Sequence, residues 1–227
     1  WESQRADEQG RQQEAEDLAF DALSGYITEK EPDRAEGPLL RILAGDTPEA
    51  YRRLLRIIPR MATAGLADLL VTTLDLAEAG FAKHGLWGPL AATLERMLLT
   101  RKGLEVLRPR YVSALTQSLG GSESILAFVR DCGLADPNVP LEQALERFHA
   151  MFDFRPGAYV EHSSLGVGRM VAHEGAFLVI DFAEKPGHRM GLEIAARSLR
   201  PLPESCLRVA RFAEPDTIAR EIASDPV

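Results

Sequence analysis

The chain has 227 residues, 45% of them hydrophobic and 26% charged, and a formal net charge of −8 at pH 7. This length allows one or two domains with real cores, while the acidic balance disfavours broad binding to phosphate backbones, which needs a concentrated positive surface. Residues 1–40 carry 11 acidic and 4 basic side chains, a net of −7. The remainder sums to −1, which leaves room for a local basic patch.

The two cysteines, Cys132 and Cys206, stand alone in the sequence, without a CxxC partner. This spacing argues against a disulfide scaffold and against a zinc site, and predicts two partly buried free thiols. No signal peptide is visible, and no apolar run approaches the roughly 20 residues of a membrane-spanning helix. Because the sequence also begins at Trp1 rather than Met, we expect a fragment of a cytoplasmic protein with no membrane contact.

The first part of the chain predicts helices. Residues 1–13 are polar and lack apolar periodicity, so we expect them to be disordered or a frayed helix start. Residues 14–27 show helical spacing of apolar side chains, and residues 31–38 read as a charged loop broken by two prolines and a glycine. Residues 47–49, Thr-Pro-Glu, carry a cap, a proline for the first helical position and an acid for the positive end of the dipole.

The helix that starts there, over residues 47–60, carries arginines at four positions: Arg52, Arg53, Arg56 and Arg60. They suggest either a stripe that binds nucleic acid or a solvated face, and the absence of interleaved aromatic residues favours the solvated face.

More helices are predicted behind it, joined by short turns marked by glycine. They cover residues 65–79 (ending at Gly80), 89–100, 103–119, 122–132 and 140–151. We expect Phe81 and Trp87 to fill the core between helices. Residues 14–152 are therefore predicted to form an all-α, solenoid-like domain.

At about Phe154 the pattern changes to glycines, β-branched residues and a period of two. Strands are predicted at residues 158–162, 168–172, 177–182, 188–192 and 199–202, with a helical turn at 193–198. This is the size of a small SH3-like or Tudor-like β-barrel over residues 153–203, so the predicted class is α+β. Residues 204–227 are predicted to be a linker and the start of another helix, at 216–224.

Seven residues are expected to supply much of the barrel core: Val160, Val167, Met170, Val179, Ile180, Phe182 and Leu199. Gly166 and Gly168 bracket a tight connection between the first two strands, where glycine relieves crowding or supplies a positive φ.

No catalytic, cofactor or metal site is readable, and we expect no enzyme. Gly166 and Gly168 lack the third glycine and the following helix of a dinucleotide fingerprint. The five histidines show no metal-ligand spacing, and a structural hydrogen bond is the expected role of His162 and His188. Asp181 and Glu184 flank a predicted hairpin turn and are expected to be solvated.

Two runs carry a family resemblance. Over residues 154–171, F-x-P-G-x-Y-V-E-H-x-x-x-G-V-G-R-x-V resembles the Tudor-like module of UvrD/PcrA helicases and the RNA-polymerase-interacting domain of CarD and the transcription-repair coupling factor. Residues 180–192, I-D-F-A-E-K-P-G-H-R-M-G-L, then 195–203, A-A-R-S-L-R-P-L-P, resemble a module of long proteins that end in a GreA-type transcription-factor domain. In those proteins the barrel follows a helical region, and residues 214–226 resemble the helical segment that comes next.

The resemblance implies docking on bacterial RNA polymerase. Gre factors act through a long coiled-coil finger with acids at its tip, which helps to hold a catalytic magnesium ion. Nothing in this sequence is a long heptad hairpin with acidic tip residues, so the resemblance implies a non-catalytic interaction module.

The docking surface is predicted at the hairpin of residues 163–169, because small barrels recruit partners through an exposed strand edge or the loops beside it. The expected partner-binding residues are Tyr159, His162, Leu165, Val167 and Arg169. The alternative is that Leu165 plugs the barrel mouth while Arg169 pairs with a nearby acid.

Two other function classes stay open at this point. One is a nucleic-acid-binding module that uses the barrel and helix 47–60, for which steep salt dependence would be the sign. The other is a purely structural scaffold. Any contact with nucleic acid is otherwise expected to be indirect or weak.

Overall fold

The computed structural model describes residues 2–215, with side chains from residue 10 onward. The protein is a mixed α+β chain in which helices come first and a five-stranded antiparallel sheet follows. It divides into two compact units, Trp1–Ser118 and Leu119–Val227. The change from helix to strand comes where the sequence predicts it, but the last two helices before the sheet belong to the second unit, so the units do not divide at residue 152. The helix predicted at residues 216–224 lies outside the described residues.

Helices build the first unit. They are α1 (Glu2–Glu29), α2 (Pro32–Gly45), α3 (Pro48–Ala64), α4 (Ala67–Lys83), α5 (Trp87–Thr100) and α6 (Arg108–Ser118), with a short 3-10 turn at Glu105–Leu107. The helix predicted from residue 14 therefore begins earlier, at Glu2, and takes in the polar segment that precedes it.

The loop predicted at residues 31–38 is wrong, because α2 runs through it. Pro32 occupies the first turn, where its missing N–H is not needed. Ala35, Leu39 and Ile42 lie on one face and are buried. Burial of this face outweighs the backbone hydrogen bond that Pro38 cannot donate.

The start of α3 is confirmed: the Thr47 hydroxyl accepts a hydrogen bond from the Ala50 N–H at 3.1 Å. The predicted end of the next helix at Gly80 is wrong, since α4 continues to Lys83. Gly80 is instead a packing residue, because a Cβ there would lie 1.9 Å from Cζ of Tyr51. The predicted core role of Phe81 is confirmed: it is fully buried, and its ring meets that of Tyr51 edge-on at 5.5 Å.

The second unit holds both helices and the sheet. Its elements are α7 (Glu123–Asp131), α8 (Leu141–Met151), a 3-10 turn (Phe152–Phe154), β1 (Tyr159–His162), β2 (Gly166–Glu174), β3 (Phe177–Phe182), β4 (Lys185–Gly191), α9 (Leu192–Ser198), β5 (Leu199–Leu202) and α10 (Leu207–Ala213). The strands lie side by side in the order β4-β3-β2-β1-β5. Neighbours are antiparallel, so the chain forms a meander whose last strand returns to pair with the first.

One face of the sheet supplies the core of this unit. Five of the seven predicted core residues are buried: Val160, Met170, Ile180, Phe182 and Leu199. Val167 and Val179 are only half-buried. Successive side chains of a strand point to opposite faces, so Val179 and Ile180 cannot both face the core. Leu178 takes the place that Val179 was expected to fill.

Candidate docking surface on the sheet

The hairpin between β1 and β2 is shaped by a histidine. Nδ1 of His162 accepts hydrogen bonds from the backbone N–H of Ser164 at 3.2 Å and of Leu165 at 3.3 Å, and lies 3.1 Å from the Ser164 hydroxyl. Gly166 follows with φ +74°, a conformation that favours glycine. The structural hydrogen bond predicted for His162 is thus present, and it fixes the turn.

The hairpin does not lie at an edge of the sheet. β2 pairs with β1 on one side and β3 on the other, and β1 pairs with β2 and β5. The backbone of both strands is therefore occupied, and a partner strand cannot be added there. The edge argument for residues 163–169 is wrong, because which strand ends up at an edge depends on long-range pairing that local sequence does not reveal.

The side chains of this hairpin have different surroundings. Leu165 is half-buried against the sheet core, as the plug alternative supposes. Val167 is also half-buried, and Arg169 is exposed. Arg169 lies opposite Asp181 in the strand register but forms no ion pair with it or with any other described acid. Of the predicted hairpin residues, Arg169 is thus the one whose charged group is free for a partner.

Tyr159 is engaged by the chain itself. Its ring meets Phe212 of α10 edge-on, with centroids 6.1 Å apart, and Arg208 of the same helix pairs with Glu161. Val209 between them is buried. α10 therefore lies against the part of β1 where a partner-binding tyrosine was expected.

A groove of about 680 Å³ runs beside Tyr159, between β1, β5 and the chain before β1. Arg155 lines it, with its guanidinium over the Phe152 ring at 4.2 Å and 3.9 Å from Glu204. β5 forms one edge of the sheet, but Pro201 in its middle has no N–H to donate. This edge is poorly suited to receiving a partner strand.

The other edge, β4, is the more open one. β4 pairs with β3 alone among the described strands, and it exposes Lys185 and Arg189. Its own proline, Pro186, lies at the irregular end of the strand near the turn, so the regular part of this edge is residues 188–191. Beside it on β3, the Phe177 side chain is 44% exposed, with the Arg189 guanidinium 5.0 Å from its ring centre. Arg189 also pairs with Glu174 at 3.0 Å. We call Phe177, Arg189 and the exposed Val171 of β2 the edge patch.

Sequence reasoning missed the edge patch, although a signal was present. Leu178, Ile180 and Phe182 form the buried alternation of β3, so Phe177 falls on the opposite, solvent-facing set. A large aromatic residue on the polar face of a strand is the kind of exposed apolar group that marks contact surfaces.

Asp181 and His188 also have defined contacts beside β4. The Asp181 carboxylate accepts a hydrogen bond from the Gly187 N–H at 2.7 Å and so closes the β3–β4 turn. His188 packs against Phe182 at 5.9 Å, and His162 lies 6.1 Å from the same ring. Burial, and next the charge of Lys185, lowers the pKa of His188.

The arginines of α3 are largely used within the first unit. Arg53 lies over the Phe20 ring at 4.0 Å and pairs with Asp17 at 2.5 Å. Arg60 donates to the Ser24 hydroxyl at 3.2 Å, and Arg52 pairs with Glu49 at 3.7 Å. Arg56 has no such contact with a described residue. These contacts leave little of the stripe for a phosphate backbone.

Within residues 10–215 no group of three or more His, Cys, Asp or Glu side chains is placed to hold a metal ion. No helix in the described part of the chain is long and apolar enough to cross a bilayer. Comparison of the chain with protein-family models, with curated proteins and with solved structures found no match.

Proposed function

We propose that the second unit is a non-catalytic docking module of a transcription factor and that its partner is bacterial RNA polymerase. RNA polymerase is proposed as the partner because residues 154–203 resemble polymerase-interacting modules and a module of proteins with a GreA-type domain. An SH3- or Tudor-like identity is supported by the meander whose last strand returns to pair with the first, around one shared core.

The observation that carries docking is Phe177, an aromatic ring exposed beside an open strand edge with a guanidinium stacked on it. Aromatic and arginine side chains dominate the binding energy of protein interfaces. Full burial of a phenylalanine side chain contributes roughly 1.5–3 kcal/mol. The outer backbone of β4, which no described strand pairs with, offers a partner strand hydrogen bonds in addition.

The charged side chains of β4 indicate which residues the partner would present. Lys185 on β4 is exposed and forms no ion pair with a described residue, whereas Arg189 is already paired with Glu174, so the matching strand of the polymerase is expected to carry an acidic residue opposite Lys185. Nucleic-acid binding through α3 gains no comparable support, because three of its four arginines are held by neighbours.

The test is a titration of the 227-residue chain onto immobilised core RNA polymerase. Phe177→Ala with Arg189→Glu is expected to weaken binding about 30-fold, the loss that corresponds to about 2 kcal/mol. Leu165→Ala with Arg169→Glu tests the hairpin in the same way. Arg96→Glu, on the exposed face of α5, is the control for charge reversal and should bind like the parent.

The outcomes distinguish an error in the proposed partner from an error in the proposed docking surface. No binding by the folded parent chain rejects polymerase as the partner. Binding that the hairpin variant loses and the edge-patch variant keeps rejects β4 as the docking edge and restores residues 163–169. A thermal melt of each variant shows whether it is folded.

A further inference from the structure

A groove of about 210 Å³ opens in the first unit, lined by α4, α5 and α6. Leu74, Leu90 and Leu94 are buried and form its bottom, and the half-buried indole of Trp87 forms one side. The groove is smaller than the roughly 300–1,000 Å³ of small-molecule sites. It therefore suits one or two apolar side chains of a larger partner.

The mouth of this groove is polar and unevenly charged. Asp75 of α4 and Arg110 of α6 form an ion pair at 2.5 Å, so their charges offset each other. Glu78, one turn after Asp75, is exposed and forms no ion pair with a described residue. One uncompensated negative charge thus stands beside the apolar bottom.

The secondary structure of the groove walls indicates what kind of peptide segment can bind there. All three lining elements are helices, whose backbone groups are paired internally, so an extended peptide would find no backbone partners there. A helical segment brings its own paired backbone and needs only side-chain contacts, which is the helix-in-groove mode of recognition.

We propose that this groove binds an amphipathic helix of a partner protein. One large apolar side chain of that helix would sit on Leu90 and Leu94, and a lysine or arginine three or four positions away would meet Glu78. The proposal concerns the first unit alone and does not depend on docking through the sheet.

A helical peptide library displayed on phage tests it. The peptides are alanine-based 15-mers without tryptophan, randomised at a central position and at the positions three and four residues to either side. They are selected on the full chain carrying Trp1→Phe, which leaves Trp87 as its one tryptophan. We expect leucine, methionine or phenylalanine at the centre, a base at the flanking positions, and a blue shift of Trp87 emission on binding.

Three variants give the controls. Ser113→Phe fills the mouth and should weaken selected peptides about 10-fold or more, as expected for loss of a central anchor. Glu78→Lys should weaken basic peptides about 3-fold and favour their Lys→Glu counterparts, the size of an exposed ion pair. Glu36→Lys, on the exposed side of α2, should bind like the parent.

If selection returns no peptide whose binding Ser113→Phe removes, the groove is not a docking site and the proposal fails. If Ser113→Phe removes binding but Glu78→Lys leaves the charge preference unchanged, the apolar anchor stands and the pairing of a base with Glu78 is overturned.

Discussion

Gly168 of β2 lies against the Phe182 ring of β3 so closely that a Cβ at residue 168 would be 2.7 Å from Cδ1 of that ring. The two residues are register partners, and Cγ2 of Ile180 would also be only 2.8 Å away. The φ of Gly168 is not positive, so closeness of packing, and not backbone conformation, requires glycine here. The sequence left both reasons open for this glycine pair, and the structure assigns crowding to Gly168 and positive φ to Gly166.

The first prediction follows from that contact. Gly168→Ala should lower the free energy of unfolding of the second unit by about 1–3 kcal/mol, since an added methyl group must displace two core side chains. Urea denaturation followed by circular dichroism measures the change. Gly191→Ala is the matched control, because a Cβ there meets nothing within 4 Å. Equal stability of the two variants would contradict the packing argument.

Close packing also requires a glycine at residue 80, in the first unit. Gly80→Ala should destabilise this unit by about 1–3 kcal/mol, because the new methyl group would overlap the Tyr51 ring. Gly25 in α1 has open space around its Cβ position, so Gly25→Ala should instead stabilise by up to about 1 kcal/mol through helix propensity. The opposite signs are checked by thermal melts of both variants. A stabilising Gly80→Ala would show that the ring moves aside freely.

These glycines show how much of the fold can be predicted from the sequence. Local signals worked where local chemistry decides: the Thr47 hydroxyl accepts its expected backbone hydrogen bond, and the change to strands came at the predicted place. Prediction failed where long-range packing decides. Residues 31–38 are largely helical because one face of α2 is buried. Gly80 lies inside α4 and does not end it, because the Tyr51 ring occupies the space that a side chain at residue 80 would fill.

The strand-edge argument for the hairpin of residues 163–169 failed for the same reason. Sequence places residues on a strand but does not say which strand is last in the sheet. β4 is an edge because β5 returns to pair with β1, on the other side. Nor does the pattern of α10 reveal that it packs on Tyr159, since that contact joins segments about 50 residues apart. Only the outward position of Phe177 was readable in advance.

The third prediction concerns pH. Hydrogen bonds from Lys83, and next from His84, hold the pKa of Asp46 below its ordinary range. A carboxyl with a lowered folded-state pKa stabilises the fold above its ordinary pKa, and this contribution is lost as the pH falls through the lowered value. Asp46→Asn should therefore be less stable than the parent at pH 7, with the gap closing below about pH 4, near the ordinary aspartate pKa.

Asparagine tolerates the left-handed φ of +46° at this position, so the backbone is not the cause of any change. Lys83→Gln should reproduce the same closing gap, because it removes the main partner of Asp46. Melting temperatures at pH 3, 5 and 7 measure both. A gap that stays constant with pH would show that the ion pair does not link this carboxyl to stability.

The fourth prediction separates the two cysteines. Burial, with the nearby charge of Asp131, raises the pKa of the Cys132 thiol to about 11. At pH 8 roughly one Cys132 in a thousand is then a thiolate, the reactive form. Cys206 is half-exposed. Iodoacetamide at pH 8 should modify Cys206 alone, with Cys132 reacting only in urea, as read by peptide mass spectrometry. Equal labelling in the native chain would contradict the buried position of Cys132.

The last prediction tests what α10 covers. Phe212→Ala with Arg208→Ala removes the ring contact with Tyr159 and the ion pair with Glu161, so α10 should come away from β1. Faster hydrogen exchange in residues 207–213 would measure that release. If polymerase docks on β4, its affinity should stay within about 2-fold, well under the effect of losing an interface anchor. Tighter binding by tenfold would mean instead that α10 masks the docking surface at Tyr159, and that the partner competes with this helix for the same face of the sheet.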